Sequence, residues 1–322
     1  MKDFTGKLAV ITGGGTGMGR ELARQLVAEG CNVAMCDVSE RNMAATKALC
    51  AEGAPQGTRV TTFVADVSDA AQIERFATAV ARDQDSDKIH LLFNNAGIGG
   101  GGSFVAGDPA EWQRTFDVCW GGVYHTTRAF LPMLMAASEG HIINTSSING
   151  FWGSLGPRRP HTAYVAAKFA VKGFTEALIA DLEVNAPHIR CSVVMPGHIG
   201  TEIVANSRKV LTGDDSDTLN EASLAQARAR MAAMGVDAAA MSDADLQAIS
   251  AEMHRRFRDE APTTAAQAAS IILDGVRENR WRILVGEDAR IIDEMVRAEP
   301  EAAYGTEFFG RMAAAAGWQL GG

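Results

Sequence analysis

Short apolar runs recur along the chain, with amphipathic stretches between them. Runs such as LAVIT, LLFNN and CSVVM are apolar at successive positions rather than at alternate ones. A strand with this pattern is buried on both faces, as in a parallel sheet that helices cover on two sides. The pattern therefore predicts an α/β protein with a doubly wound sheet. The predicted strands are Leu8 to Thr12, Asn32 to Asp37, Arg59 to Val64, Ile89 to Asn94, His141 to Ser146, Arg190 to Met195 and Arg282 to Val285.

Residues 202–262 interrupt this alternation with a long insert rich in alanine, methionine and charged residues. Ser242 and Asp245 have the spacing of a capping box, in which an N-cap hydroxyl pairs with an acidic side chain three residues later. Apolar residues follow at helical spacing: Leu246, Ile249, Met253 and Phe257. We expect the insert to be a helical cap hinged near the sheet.

Residues 287–322 form a C-terminal extension beyond the last predicted strand. The extension carries more apolar side chains than a free tail would leave in water. These side chains are Ile291, Ile292, Met295, Phe308, Phe309 and Trp318. We expect the extension to pack on the body of the domain or on a neighbouring subunit.

Composition narrows the classes of partner. The chain has 322 residues, of which 47% are hydrophobic, and it can bury a large core. Its formal net charge of −9 would repel nucleic-acid phosphates and the anionic face of a membrane. Neither nucleic acid nor membrane is therefore expected as a partner.

The five cysteines are odd in number, widely spaced and without a C-x-x-C pair. This cysteine pattern predicts reduced thiols. The sequence also shows neither a cleavable leader nor an apolar stretch of about 20 residues, so we expect a cytoplasmic protein. The acidic cluster Asp214, Asp215 and Asp217 lacks the spacing and the closing glutamate of a calcium loop. We expect a solvated loop there, and no metal site is predicted.

The first predicted strand runs directly into TGGGTGMG, Thr12 to Gly19, and then into the helical pattern ELARQLVAEG. Glycines allow a tight turn with positive φ, and they let a pyrophosphate approach backbone N–H groups at the positive end of a helix dipole. A glycine motif between a strand and a helix is a much stronger indication than the motif alone. The loop is predicted to bind a dinucleotide; the alternative is a tight turn without a ligand.

Asp37 closes the second predicted strand, 24 residues after Gly13. Its carboxylate can accept hydrogen bonds from both hydroxyls of an adenosine ribose, and its charge would repel a 2′-phosphate. NAD is therefore predicted over NADP, although Arg41 is close enough in sequence to reach a phosphate in principle. Asp66, after the third predicted strand, is placed either to contact the adenine or to cap the next helix.

Tyr164 and Lys168 are four residues apart in the helical stretch AYVAAKFAVKGF, so both project from one face. A phenol with a pKa of about 10 is a poor base at neutral pH. A nearby ammonium favours the phenolate and is predicted to lower the pKa of the tyrosine. Tyr164 is then a candidate general acid/base for alcohol and carbonyl chemistry.

These residues, in their order along the chain, carry a resemblance to a known family. The chain resembles the short-chain dehydrogenase/reductase family in TGGGTGMG at Thr12 to Gly19, NNAG at Asn94 to Gly97, Ser147, the YxxxK pair Tyr164 and Lys168, and PGHIGT at Pro196 to Thr201. The resemblance implies a single Rossmann-type domain, with seven parallel strands and helices on both faces in three layers. It also implies a nicotinamide cofactor, a small alcohol or ketone substrate, and a homo-dimer or homo-tetramer.

The resemblance also implies roles for single residues. Ser147 would hold the substrate oxygen, and Lys168 would hydrogen-bond the nicotinamide ribose. Ile199 and Thr201 would contact the nicotinamide carboxamide. The alternative for their segment is an ordinary connecting loop, in which Gly and Pro only form the turn. The expected cofactor contacts are Gly13, Thr16, Gly17, Met18, Gly19, Asp37, Val38, Asp66, Val67, Asn95, Ala96, Gly97, Tyr164, Lys168, Pro196, Gly197, Ile199 and Thr201.

The chain departs from the family pattern at Cys119, in DVCWGG. Members usually carry an asparagine there and use it to seat a water in a proton relay. A thiol cannot reproduce the paired donor and acceptor of an amide. A relay that depends on the backbone carbonyl could survive, and a buried core residue is the expected role of Cys119.

A second departure is the 17-residue step from Ser147 to Tyr164, which is longer than the family leads us to expect. Phe151 and Trp152 are candidates to wall an apolar substrate pocket. Arg158, Arg159 and His161 could attract an anionic substrate, but a solvated turn or a subunit contact is expected of this basic trio. His198 is predicted either to face the substrate or to be a hydrogen-bonded structural histidine.

The leading hypothesis is an NAD(H)-dependent oxidoreductase that interconverts a bulky secondary alcohol and its ketone. Residues 202–262 would cap the substrate within the single domain. The alternatives are an NADPH-dependent biosynthetic carbonyl reductase and a nicotinamide-binding regulator without turnover, for which Cys119 is the one favourable observation.

Overall fold

The computed structural model describes residues 1–157, 159–214, 216, 218–233, 237–238 and 240–318. Its strands are β1 (Leu8–Thr12), β2 (Asn32–Asp37), β3 (Val60–Val64), β4 (Leu91–Asn94), β5 (Gly140–Thr145), β6 (Ile189–Pro196), β7 (Ile199–Gly200), β8 (Thr263–Thr264) and β9 (Arg282–Val285). Its helices are α1 (Gly17–Ala28), α2 (Glu40–Gly53), α3 (Ala70–Gln84), α4 (Pro109–Phe116), α5 (Gly122–Met135), α6 (Thr162–Asn185), α7 (Ile203–Thr212), α8 (Glu221–Ala233), α9 (Asp243–Asp259), α10 (Ala265–Arg277), α11 (Glu287–Ala298) and α12 (Thr306–Ala315). Among these helices, none combines the length and the apolar character needed to span a bilayer.

Seven strands form one parallel sheet in the order β3-β2-β1-β4-β5-β6-β9. The predicted doubly wound, Rossmann-type sheet is confirmed, and each strand lies within two residues of its predicted bounds. The winding reverses between β1 and β4, which are neighbours in the sheet. The carboxyl ends of the strands at such a switch point leave a crevice that can take a ligand.

Helices cover both faces of the sheet, which explains why its strands are apolar at successive positions. In β1, Val10 packs into a cluster that includes Phe130 of α5, whereas Ile11 packs into a cluster that includes Leu26 of α1. All four side chains are completely buried. Burying a side chain of this size contributes about 1.5 to 3 kcal/mol. The two clusters therefore make the sheet a rigid platform for the loops at its edge.

The insert folds into α7, α8 and α9. Ser242 and Asp245 form the predicted capping box, with the Ser242 hydroxyl accepting from Asp245 N at 3.2 Å and the carboxylate accepting from Ser242 N at 3.1 Å. Leu246 is buried, but Met253 is 59% exposed, so the predicted apolar stripe faces the body only in part. A small parallel sheet that the sequence pattern did not predict, β7 with β8, closes the base of the insert. Two-residue strands are too short to show a period.

The C-terminal extension packs on the body through α11 and α12. Ile292, Phe308 and Met312 form a buried cluster with Trp152, which comes from the loop after β5. The indole is completely buried and donates from Nε1 to Ala303 O at 2.8 Å. The expectation that Trp152 walls a substrate pocket is therefore wrong, because the extension covers its ring. Phe151 packs against the same cluster.

Candidate active site

The carboxyl edge of the sheet gathers most of the residues that the sequence motifs single out. The glycine loop follows β1, Asp37 ends β2, residues 95–97 follow β4, and Ser147 follows β5. Because these strands are parallel, the loops after them meet along one crevice. Helix α6 places Tyr164 and Lys168 beside this crevice.

Two glycines of the loop after β1 have surroundings that a side chain would not allow. Gly13 has a φ of +67°, and a Cβ on it would lie 2.9 Å from Ala96 Cα. A Cβ on Gly19 would lie 2.0 Å from Gly13 O. Thr16, the N-cap of α1, makes no side-chain capping bond, so the first-turn N–H groups have no side-chain cap. This cradle fits the pyrophosphate of a dinucleotide.

Asp37 organises the turn at the end of β2. One carboxylate oxygen accepts from Gly15 N and the other from Ser39 N, each at 3.0 Å. Burial raises the pKa of this carboxyl, and hydrogen bonds from the backbone oppose the rise. Each carboxylate oxygen can accept a further hydrogen bond. The Asp37 carboxylate can therefore accept hydrogen bonds from ribose hydroxyls in addition to those from the backbone.

Asp66 has protein partners on both of its carboxylate oxygens. Arg114 of α4 donates to Oδ2 at 2.5 Å, and Ser68 donates to Oδ1 from both N and Oγ. Burial raises the pKa of Asp66, but the hydrogen bonds from Arg114 and Ser68 outweigh it and leave the pKa below its ordinary value. The alternative that Asp66 caps the next helix is wrong, because Asp69 is the N-cap of α3.

Asn95 ties the loop after β4 to the glycine loop. Its side-chain amide donates to Thr12 O at 3.1 Å, and its backbone N–H donates to Thr12 Oγ1 at 3.0 Å. The Asn95 Oδ1 atom is buried and has no hydrogen-bond partner within the described chain. A buried acceptor left in this state is costly unless a ligand or water satisfies it. The loop therefore presents an unsatisfied acceptor at the edge where a dinucleotide would lie.

Ser147, Tyr164 and Lys168 are brought together at the end of β5. Ser147 is 8% exposed, and its hydroxyl is near enough to Tyr164 to favour the phenolate and lower the pKa of the phenol. Lys168 is 3% exposed and donates from Nζ to Thr145 O at 2.9 Å. The Lys168 ammonium lies 5.4 Å from the centroid of the Tyr164 ring. The predicted grouping of hydroxyl, phenol and ammonium is thus present in the fold.

The expected lowering of the tyrosine pKa is wrong for this geometry. Burial raises the pKa of Tyr164, the neighbouring Cys119 adds to the rise, and the nearby Ser147 hydroxyl opposes it only in part. Burial also lowers the pKa of Lys168, because an ammonium loses hydration in the interior. Desolvation is therefore the largest cause of both shifts, and Tyr164 is a protonated phenol at neutral pH.

Cys119 lies in a π-helical turn, Asp117–Gly121, between α4 and α5. Its side chain is completely buried, and Sγ donates to Ile98 O at 3.1 Å. Cys119 thus holds the buried place expected of it. Single π turns inside helices are frequent at functional sites, and nothing in the sequence pattern predicted this one.

One of the three basic residues in the loop between Ser147 and Tyr164, His161, is neutral and packs against the site. His161 stacks on Tyr164 with ring centroids 4.6 Å apart. Burial lowers the pKa of His161 to about 4, so the ring is neutral at pH 7. Arg159 is exposed, and Arg158 lies outside the described residues.

The turn after β6, Gly197–His198, is held by hydrogen bonds to the end of β9 and to α11. Gly197 N donates to Val285 O at 3.0 Å, and His198 N donates to Asp288 Oδ2 at 2.7 Å. The His198 ring is hydrogen-bonded through Nε2 to Phe257 O at 2.7 Å. His198 is therefore the hydrogen-bonded structural histidine of the two predicted alternatives. Its bond joins the turn to the last turns of α9.

Helix α7 connects the glycine loop with the loop after β4. Asn206 donates from Nδ2 to Thr16 Oγ1 at 3.0 Å, and Ser207 Oγ accepts from Gly99 N at 2.8 Å. A Cβ on Gly17 would lie 3.0 Å from the Thr201 methyl, so the residue that follows β7 meets the start of α1. Sequence reasoning missed Asn206 and Ser207, because single polar residues in a helical insert give no local sign of the loops they meet.

No metal-binding group emerges from the described parts of the chain, where no three His, Cys, Asp or Glu side chains converge to hold an ion. Asp214 accepts hydrogen bonds from Ser216 and Asn220 within its own loop. The other two members of the acidic cluster, Asp215 and Asp217, lie outside the described residues. The five cysteines are unpaired and buried.

Known proteins resemble this chain over most of its length. Residues 7–211 match the short chain dehydrogenase family. An oxidoreductase named SadH from Mycobacterium tuberculosis is 33% identical over 297 residues, which are 92% of this chain and 92% of that protein. Levodione reductase from Leifsonia aquatica is 37% identical over 212 residues, which are 65% of this chain and 75% of that protein.

Solved structures share the fold. A short-chain dehydrogenase/reductase from Burkholderia phymatum in complex with NAD matches with a TM-score of 0.73 and 28% identity, over 94% of this chain and 96% of that one. A metagenomic short-chain oxidoreductase in complex with NADP matches with a TM-score of 0.53 and 31% identity, over 60% of this chain and 83% of that one. Motifs, sheet order and relatives agree: the chain belongs to the short-chain dehydrogenase/reductase family and is an oxidoreductase that binds a nicotinamide cofactor.

Proposed function

We propose that the protein is an NAD(H)-dependent dehydrogenase that interconverts a secondary alcohol and its ketone, with Tyr164 as general acid/base. The observation that carries the proposal is the grouping of Ser147, Tyr164 and Lys168 at the end of β5, with the Lys168 ammonium 5.4 Å from the centroid of the phenol ring. Carbonyl reduction needs a hydrogen-bond donor that holds the substrate oxygen and an acid that protonates it. The Ser147 hydroxyl and the Tyr164 phenol can fill these two roles.

The cofactor would lie along the carboxyl edge of the sheet. The glycine loop from Gly13 to Gly19 would hold the pyrophosphate, and Asp37 would hold the adenosine ribose. Pairing with Arg114 leaves Asp66 fewer free acceptor sites, so Val67 is the better candidate for the adenine side. When bound, the nicotinamide ring supplies or accepts the hydride. The full proposed set is Gly13, Thr16, Gly17, Met18, Gly19, Asp37, Val38, Asp66, Val67, Asn95, Ala96, Gly97, Tyr164, Lys168, Pro196, Gly197, Ile199 and Thr201.

The side chains of the chain itself manage the substrate oxygen and its proton. Ser147 donates a hydrogen bond to this oxygen and orients it toward Tyr164. In the reductive direction the Tyr164 phenol gives its proton to the oxygen, and in the oxidative direction the phenolate takes it back. Because burial raises the pKa of Tyr164, the protonated form needed for reduction prevails at neutral pH. Oxidation is therefore expected to speed up as the pH rises.

The choice of NAD rests on the charge of Asp37, which would repel the 2′-phosphate of NADP. The similar Burkholderia structure contains NAD, and the metagenomic one contains NADP. An NADPH-dependent biosynthetic reductase is the alternative. We further propose a cytoplasmic homo-dimer or homo-tetramer in which residues 202–262 cap the substrate and residues 287–322 extend the single domain.

The test is a panel of secondary, cyclic, aryl and sterol-like alcohols with NAD and with NADP, followed by the absorbance of the reduced nicotinamide. Levodione belongs in the reverse panel, because one relative is named for reducing it. Turnover with NAD and not with NADP supports the proposal. Turnover only with NADP would select the reductase alternative.

Replacement of Tyr164 by Phe is expected to lower kcat by at least about 100-fold, because the proton donor is lost while the ring remains. Binding of NADH, measured by its fluorescence, is expected to persist. Tyr124→Phe is the matched control, because Tyr124 lies on α5 and is 47% exposed. Undiminished turnover in Tyr164→Phe would contradict the catalytic role, and tight NADH binding without turnover in the unmodified protein would favour the regulator.

A further inference from the structure

The C-terminal extension contacts two of the loops that build the site. One is the loop after β5, which begins at Ser147, and the other is the turn Gly197–His198 after β6. Strands β5 and β6 are neighbours in the sheet, so their loops leave the same edge side by side. An extension that served only to bury apolar surface would not need polar bonds to both loops.

The first contact is made by Trp152. Its Nε1 donates to Ala303 O at 2.8 Å, and its ring lies 6.3 and 6.4 Å from the rings of Phe308 and Phe309. Gly156 has a φ of +108°, and a Cβ on it would lie 2.7 Å from Phe309 Cζ. The loop is therefore shaped to receive α12.

Buried hydrogen bonds continue from Trp152 to Ser147. Asn149 is 3% exposed and donates from Nδ2 to Trp152 O at 2.9 Å and to Ser154 O at 3.0 Å. The backbone N–H of Asn149 donates to Ser147 Oγ at 3.1 Å. Because Asn149 and Ser147 are buried, their groups would lose these hydrogen bonds if the loop moved. The position of the Ser147 hydroxyl thus depends on where the extension holds Trp152.

The second contact is made by Asp288, in the first turn of α11. It is 1% exposed, and its Oδ2 accepts from His198 N at 2.7 Å and from Trp318 Nε1 at 2.9 Å. A Cβ on Gly197 would lie 2.3 Å from each carboxylate oxygen of Asp288. The extension and the turn after β6 therefore meet with no space for another side chain.

We propose that the C-terminal extension is a positioning unit of the active site, in which Trp152 sets the Ser147 loop and Trp318, through Asp288, sets the Gly197–His198 turn. The proposal rests on the proposed function for the chemistry of Ser147 and for the cofactor contact of the turn. It also explains the long step between Ser147 and Tyr164: the added residues dock the extension rather than line a substrate pocket.

The test uses two full-length variants and a control. Trp152→Phe and Trp318→Phe each keep an aromatic ring but remove the indole N–H. Trp281→Phe is the control, because Trp281 is 49% exposed and lies just before β9, away from both contacts. We would measure kcat, KM, the dissociation constant of NADH and the melting temperature for all three.

Trp152→Phe is expected to lower kcat about tenfold while KM and NADH affinity stay within about twofold, since a small displacement of a reacting group is costly. Trp318→Phe is expected to weaken NADH binding about tenfold. Lower melting temperatures with kcat and NADH affinity equal to the control would overturn the proposal. If no substrate is found for the unmodified protein, the proposed function fails, and the Trp318→Phe binding experiment still decides whether the extension positions the turn.

Discussion

At the scale of single residues, burial decides the charge states of the site. Tyr164 and Lys168 have the types and spacing of an acid/base pair, yet desolvation raises the pKa of one and lowers the pKa of the other. The sequence places His161 in a basic trio with Arg158 and Arg159, but burial lowers its pKa to about 4. The residue types were predictable; their ionisation was not, because hydration depends on neighbours distant in the chain.

Asp37 is the residue on which the cofactor preference depends. Asp37→Asn keeps the shape and acceptor oxygen of the side chain but removes its charge. We expect the ratio of kcat/KM with NADP to that with NAD to rise about fivefold, because unit charges about 4 Å apart in a water-like medium interact by about 1 kcal/mol and a tenfold change requires about 1.4 kcal/mol. Glu40→Gln, an exposed neighbour in α2, is the control. An unchanged ratio in Asp37→Asn would remove the case for charge-based selection.

At the scale of elements, the glycine segment 99–102 starts the helix that carries Tyr164. His161, the N-cap of α6, makes no side-chain capping bond. The first helical N–H groups donate instead to the preceding glycines, Thr162 N to Gly102 O at 3.0 Å and Ala163 N to Gly101 O at 3.1 Å. The sequence of the glycine segment gives no sign of this role, because its partners lie about 60 residues away in the chain.

Gly101→Ala is expected to displace the start of α6. Gly101 has a φ of +57°, and a Cβ on it would lie 2.4 Å from Ala163 Cβ and 2.9 Å from Trp112 Cα. We expect a loss of about 1 to 3 kcal/mol in the free energy of unfolding and about a tenfold loss of kcat. Urea unfolding and steady-state kinetics measure both.

Gly53→Ala is the matched control, because nothing lies within 4 Å of a Cβ there. Adding Ala163→Gly to Gly101→Ala removes the nearest atom and is expected to restore part of both losses. Equal behaviour of Gly101→Ala and Gly53→Ala would show that the glycine segment does not hold the helix start.

At the scale of the whole molecule, stability depends on groups buried without charge in the central sheet. His141 in β5 is 1% exposed, and its Nε2 is hydrogen-bonded to Ser192 Oγ at 2.7 Å. Burial lowers the pKa of His141 to about 3. Below the unfolded-state pKa of about 6.5, the unfolded chain binds a proton that the folded protein refuses. His141 therefore favours unfolding increasingly as the pH falls from about 6.5 toward about 3.

His141→Gln removes this titration. Between about pH 7 and about pH 5, the free energy of unfolding of the unmodified protein should fall by about 2 kcal/mol more than that of the variant, since one proton corresponds to about 1.4 kcal/mol per pH unit. Urea unfolding at both pH values measures the difference. Parallel pH dependence in the two proteins would show that His141 is not neutral in the fold.

The sequence by itself determined the doubly wound sheet and the place of its motifs. Continuous apolar strands, a strand–glycine–helix junction and the four-residue step from Tyr164 to Lys168 are local features, and local periodicity and sterics suffice to interpret them. Only the tertiary structure decided the burial of Trp152 beneath the extension, the bond of His198 to Phe257 and the capping of α6 by glycine carbonyls. These contacts join segments far apart in the chain, so they depend on how packed elements meet, and no local pattern encodes them.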